Sequence, residues 1–220
     1  MKTIIKKNSI KLKFKLCNWK AIYFLIKLNR MENNKKKGLL LIMSGPSGVG
    51  KGTVREELMK DKSLNLFYSV SMTTRNMRPG EVNGREYYFV TKEDFMKQVA
   101  DDNLLEWAEY VGNCYGTPRD KVEAMRNEGK NVLLEIDVKG AENVFKKVPD
   151  VVSIFIAPPS VEELRNRLKG RGTESDEVIN NRVNAAAKEL EYKGLYKHVV
   201  INDKLEDAVE EIRQIIKKGM

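Results

Sequence analysis

The chain has 220 residues, with 40 Lys and Arg against 31 Asp and Glu, one histidine and two cysteines. That length suits one α/β domain able to bury its own core. Cys17 and Cys114 lie far apart in unlike contexts, which argues against a disulfide framework or a zinc site and points to a reducing, cytoplasmic compartment. The net charge of +9 is local: residues 1–37 hold 12 basic residues and one acid, Glu32, whereas the remainder holds 28 basic and 30 acidic residues, so no nucleic-acid partner is expected for the globular part.

Residues 1–37 form a basic extension of foreign composition, rich in Lys, Ile and Asn. Its apolar stretch, Ala21 to Ile26, is too short to span a bilayer, and it lacks a small-residue cleavage motif. Three readings stay open: a disordered basic arm, an organellar presequence, or translated upstream sequence ahead of a start at Met31. Leu39 to Met43 then reads as a buried strand. It runs into Gly45-Pro46-Ser47-Gly48-Val49-Gly50-Lys51-Gly52-Thr53 and a helix to about Lys60. Strand, glycine-rich turn and helix together make a phosphate cradle. Glycines let backbone N–H groups turn toward one anion, the helix N-terminus adds its dipole, and Lys51 supplies a mobile cation. A general GxxxxGK[ST] loop carries a hydroxyl after the lysine. Here Gly52 stands there and the hydroxyl follows at Thr53, a candidate Mg²⁺ ligand directly or through water.

Farther on, Leu66 to Ser71 reads as a strand and Thr73 to Gly84 as a polar loop. Tyr87 to Val90 reads as strand, and Thr91 as the N-cap of a helix to about Asp101. Leu104 to Val111 is an expected strand, and Lys121 to Glu128 a helix ended by Gly129. Asn131 to Ile136 and Val151 to Ile156 are continuous apolar runs of the kind buried on both faces of a parallel sheet. Ser160 caps a helix to about Lys169, Glu174 to Tyr192 is a long helix, Val199 to Ile201 a strand, and Leu205 to Lys217 the last helix. His198, beside that strand, is expected at a surface or edge. Alternating strands and helices predict a three-layer α/β fold around a parallel sheet.

The block from Ser69 to Phe89 is dense in anion-binding groups. Arg75 and Arg78 can face one phosphate with bidentate forks, and Tyr87 offers a rigid hydroxyl. Two phosphate sites in one chain suggest a nucleotide donating a phosphoryl group to a second substrate. Glu135 and Asp137 flank Ile136 at a strand end, so both project to one side where ligands of α/β sheets gather.

From about Gly38 onward the chain resembles guanylate kinases. The resemblance rests on Gly45 to Thr53, Ser71 to Tyr87, Glu106-Trp107-Ala108, Gly112 to Thr117, Ile136 to Gly140, Phe155 to Ser160 and Arg167 to Thr173. It implies a P-loop NTPase fold over residues 38–220, with a small GMP-binding subdomain at 71–118 and a helical lid at about 167–182. It implies transfer of the γ-phosphoryl of ATP to GMP, and to dGMP, with Mg²⁺. The loop from Gly45 to Thr53, Arg167 and Asn202 would hold ATP. The GMP phosphate would meet Arg75, Arg78, Tyr87 and Tyr115; guanine would meet Ser71, Glu106 and Thr117; Glu135 would stand near the GMP, where the family more often has Asp. Asp137 would stand near Mg²⁺, and Lys51, Arg171 and Arg182 would stabilise the moving phosphoryl group. The chemistry agrees for guanine: its N1–H and exocyclic amine both donate to one carboxylate, which adenine cannot do. A non-catalytic interaction module of the same fold would typically lose the cradle or its lysine, and a kinase of phosphorylated sugars would not need Glu106 with Thr117. A homo-oligomer is left open.

Overall fold

Strands form where apolar residues run unbroken, and the longest such runs make the central sheet. The computed structural model describes residues 36–110, 112–170 and 175–220; the account below concerns the unit from Lys37 to Met220. Five parallel strands lie in the order β2-β7-β1-β8-β9. They are β1 (Leu40–Ser44), β2 (Leu66–Tyr68), β7 (Asn131–Glu135), β8 (Val152–Ala157) and β9 (His198–Ile201). Alternation sorts their side chains between two cores. Leu41, Met43, Leu133, Ile154 and Ile156 face helices α1 (Lys51–Lys60) and α7 (Leu205–Gly219), where they meet Val54, Leu58, Val209, Ile212 and Ile216. Leu40, Ile42, Val132, Leu134 and Phe155 face α3 (Arg119–Asn127) and α4 (Val138–Lys147), where they meet Val122, Ala141 and Val144. Burial on both faces is why the central strands β1, β7 and β8 lack polar alternation.

A second sheet, in the order β4-β3-β6-β5, is built from β3 (Met72–Thr73), β4 (Tyr88–Phe89), β5 (Leu104–Tyr110) and β6 (Asn113–Pro118). Its own small core is Phe95 of α2 (Lys92–Ala100) with Leu104 and Cys114. Two helices, α5 (Val161–Lys169) and α6 (Asp176–Leu190), pack through Leu164, Leu168, Ile179 and Val183. Caps fall where hydroxyls were expected: Thr91 Oγ1 accepts from the Asp94 N–H at 3.0 Å, and Ser160 Oγ from the Glu163 N–H at 3.0 Å. Gly129, at φ +84°, closes α3.

Three expectations need correction. Leu66 to Ser71 is not one strand: only Leu66–Tyr68 pairs as β2, and the chain then crosses to the second sheet, so that Met72 and the buried Thr73 become β3 instead of loop. β6, in Asn-Cys-Tyr-Gly-Thr-Pro, is not legible in the sequence because its Gly and Pro mask the period; α4, which begins at the Asp137 cap, is a further element not among the expectations. The expected helix from Glu174 begins at Asp176 among the described residues, and Glu174 itself lies outside them. His198 sits in β9 at the sheet edge. No helix among the described residues is long and apolar enough to cross a membrane.

Candidate active site

A cleft of about 470 Å³ opens at the carboxyl ends of β1 and β7, between the two sheets. Its walls include Gly45, Ser47 and Lys51 on one side, Ser71, Arg78, Tyr87, Glu106 and Tyr115 on another, and Glu135, Asp137 and Glu189.

The loop between β1 and α1 builds the first wall. Gly45 has φ +148°, and a Cβ there would lie 2.2 Å from the carbonyl oxygen of Ile156, so only glycine lets β1 end this close to β8. Lys51 opens α1 and curls over the loop, its Nζ donating to the carbonyls of Gly45 (2.6 Å) and Pro46 (3.0 Å). Burial pulls its ammonium below the ordinary lysine value, and the carboxylates of Glu135, Glu189 and Asp137 oppose that shift. Gly48, Gly50 and Gly52 complete the turn with Val49, whose carbonyl accepts from Asn202 Nδ2 at 2.8 Å. Arg167 donates to the Asn202 carbonyl at 2.7 Å and to Glu163 at 2.9 Å. Arg167 and Asn202 are thus brought together behind the loop and are not among the residues lining the cleft. Thr53 lies on the exposed side of the first turn of α1. Arg182, on α6, donates from Nη2 to Ser47 Oγ at 2.7 Å, which sets a second cation over the loop. Arg171 lies outside the described residues.

Opposite, the second sheet presents side chains. Glu106, on β5, is 5 % exposed and accepts from Thr117 Oγ1 at 2.6 Å across the β5–β6 pair. Burial pushes its carboxyl up to about 7; the Thr117 hydroxyl opposes this shift and the nearby Asp137 charge adds to it. Gly140 makes room for it, since a Cβ there would lie 2.6 Å from Glu106 Oε2. Tyr87 and Tyr115 meet edge to face at 5.9 Å, and Arg78 lines the same wall. Arg75 is held differently: its fork takes both oxygens of Glu81 (2.7 and 3.1 Å) while its guanidinium lies 5.5 Å from the Tyr87 ring centre. Glu81 also accepts from the Arg78 N–H at 2.7 Å, so one acid organises the whole turn.

At the strand end, Asp137 Oδ1 accepts from the Gly140 N–H at 2.7 Å and caps α4. Its carboxylate, the Thr53 hydroxyl and substrate phosphate oxygens are hard oxygen donors of the kind Mg²⁺ takes, and no group of three or more His, Cys, Asp or Glu able to hold an ion by themselves exists among the described residues. Sequence reasoning missed Glu81, Glu189 and Arg55. Glu81 carried a faint signal, three residues beyond Arg78; Glu189 carried none, because its place in the cleft depends on how α6 packs.

A parallel sheet of this order, with a glycine cradle between its first strand and helix and a second anion-facing wall across the cleft, defines a P-loop α/β phosphotransferase fold. The guanylate kinase family model matches residues 37–219. The crystal structure of guanylate kinase from Anaplasma phagocytophilum superposes with a TM-score of 0.68 at 36% identity, covering 84% of this chain and 87% of that one. Shikimate kinase from Bacteroides thetaiotaomicron matches with a TM-score of 0.46 at 15% identity, covering 81% of this chain and 98% of that one. The chain belongs to the guanylate kinase family.

Proposed function

We infer that this cleft carries the γ-phosphoryl group of ATP to GMP, giving ADP and GDP, and that dGMP is accepted in the same way. The observation that carries the reading is the shared cleft: Gly45, Ser47 and Lys51 face the same space as Ser71, Arg78, Tyr87 and Glu106. ATP phosphates lie along Gly45 to Thr53, with Lys51 and Arg182 drawing charge from the equatorial oxygens of the transferring group. By the family resemblance Arg171, which lies outside the described residues, would share this role. Arg167 and Asn202 brace the loop from behind and border the adenine side. Arg78, Tyr87 and Tyr115 receive the acceptor phosphate, and Arg75 adds its charge there only on release from Glu81, which holds both arms of its fork. Ionised Glu106 accepts from guanine N1–H and the exocyclic amine. Thr117 has its proton committed to Glu106 and so orients that carboxylate; Ser71 is then the hydroxyl that reaches guanine O6. Asp137 and Thr53, with the substrate phosphates, would hold Mg²⁺, which would neutralise phosphate charge when bound. Glu135 stands at the acceptor side. The compartment is cytoplasmic on the cysteine usage, and the product feeds purine nucleotide pools.

The test is a coupled assay of ADP release with GMP, dGMP, AMP, UMP and ribose phosphates as acceptors. GMP and dGMP are expected to turn over, with AMP slower by about a hundredfold or more, since buried polar pairing discriminates strongly. Equal turnover of a ribose phosphate, or none with GMP, would overturn the reading.

A further inference from the structure

Arg55 stands four residues beyond Lys51 on α1, so the two cations share one face of the helix. Its Nη1 donates to Glu135 Oε2 at 3.0 Å, and its guanidinium carbon lies 4.5 Å from the centre of the Tyr68 ring. Tyr68 ends β2 and Glu135 ends β7, and these strands pair with Tyr68 opposite Leu133. Three elements of the core therefore meet at one guanidinium. Both charged side chains are largely withdrawn from water, at 24% and 19% exposure. A planar guanidinium lying near an aromatic ring and paired with a carboxylate is held in orientation as well as in place.

Glu135 lines the cleft; Arg55 is not among the lining residues and lies on the far side of that carboxylate. The cleft must admit two polyanions, yet its walls carry Glu135, Asp137 and Glu189 as well as Glu106. A carboxylate left alone there would repel phosphate and swing among rotamers. Lys51 is committed to the loop carbonyls, so Arg55 is the cation bonded to Glu135.

We propose that Arg55 is a positioning residue for the acceptor nucleotide: steadied by Tyr68, it neutralises Glu135 and fixes its carboxylate so that the other oxygen accepts from the acceptor's hydroxyl or N–H groups. The inference rests on the assignment of the acceptor side to GMP. It places the effect of Arg55 on acceptor binding and not on the transfer step, although Arg55 shares a helix with Lys51.

Steady-state kinetics on the full chain test it, with Arg55→Met, Arg55→Lys, Glu135→Gln and the double variant Arg55→Met/Glu135→Gln. Arg55→Met is expected to raise KM for GMP about tenfold, the loss of one oriented interaction. It should leave kcat and KM for ATP within about twofold, and Arg55→Lys should recover part of the loss. The double variant should bind GMP no worse than Arg55→Met alone, because the two changes remove one interaction. Should Arg55→Met fail to fold, Tyr68→Leu keeps the ion pair but loosens it, with a rise in GMP KM of about threefold. Parallel rises in both KM values with a lowered melting temperature would make Arg55 a plain staple and overturn the proposal, as would additive effects in the double variant. Wild-type turnover of GMP with an unchanged KM in Arg55→Met overturns this inference alone. A wild type inert toward GMP overturns the proposed reaction and this inference with it.

Discussion

The two sheets solve recognition in different ways. The central strands β7, β1 and β8 of the five-stranded sheet are buried on both faces, and under the proposed function this sheet would meet the donor phosphates chiefly through backbone: the Gly45-to-Gly52 turn, fixed where β1 ends against β8. The second sheet has two strands of only two residues each, a core of three buried side chains, and a wall of side chains facing the cleft. A triphosphate offers the same oxygens whichever base it carries, so a cradle of N–H groups is enough to hold it. An acceptor must be told from its analogues, and that requires polar side chains whose geometry is set by one another, as Thr117 sets Glu106 and Glu81 sets Arg75. Rigid backbone binds a class; paired side chains choose within it.

The sharpest break of this comparison is at Lys51, the cation that lines the cleft on the backbone-built wall. Lys51→Ala is expected to lower kcat by about a thousandfold or more, the scale of removing a positioned cation from a phosphoryl transition state. GMP affinity, measured by calorimetry, should stay within about threefold, because Lys51 belongs to the donor wall. Near-wild-type turnover would remove the lysine from the transfer step. Equal losses in GMP binding and in rate would mean that the two walls are not separable.

Glu106 breaks the other wall. Glu106→Gln keeps the shape but replaces one acceptor by a donor, and the GMP-over-AMP preference in kcat/KM should fall by about a hundredfold. The wild type should also show a pH signature. Guanine needs the ionised carboxylate, whose free-enzyme value is about 7, so kcat/KM for GMP should drop by about tenfold per pH unit below that point, and the profile of Glu106→Gln should be flat there. Stability moves the opposite way. The folded carboxyl titrates above its ordinary 4.5, so between about 4.5 and 7 the folded chain holds more protons than the unfolded one. This group's contribution to stability therefore falls as pH rises through that window, and Glu106→Gln removes the slope. Denaturant melts at pH 5 and 8 read it directly.

The same division explains what could be read in the sequence. Leu40 to Ser44, Asn131 to Glu135 and Val152 to Ala157 announce themselves because a strand covered on both faces carries a nearly continuous apolar run, with polar residues at its ends and only Ser153 within. The cradle is legible because backbone recognition needs glycines at fixed spacing. The second sheet is not legible as a sheet. Met72 and Thr73 are too few to show a period, and Asn113 to Pro118 pairs as a strand while carrying Gly116 and Pro118. Its recognition residues were legible only as a cluster of arginines, tyrosines and an acid. That Thr117 donates to Glu106, that Glu81 holds Arg75 and that Arg55 stands behind Glu135 are facts of packing between residues 6 to 80 positions apart, and no local pattern encodes them.

The smallest effect asks whether the two sheets also differ in stability. Each region has a helix begun by the same device: Thr91 caps α2 beside the second sheet, and Ser160 caps α5, whose Leu164 and Leu168 lie in the buried cluster shared with α6. Thr91→Ala and Ser160→Ala should each cost about 1 kcal/mol. If the chain unfolds as one cooperative unit, both shift a single transition by similar amounts and leave kinetics unchanged. The thin core of Phe95, Leu104 and Cys114 predicts otherwise. Thr91→Ala should raise the amide exchange rates of β3 to β6 about fivefold, with Ser160→Ala leaving them unchanged, because a local opening responds only to changes within the unit that opens. Equal exchange in the two variants would mean that the second sheet borrows its stability from the first, and the separation drawn from their chemistry would not extend to their folding.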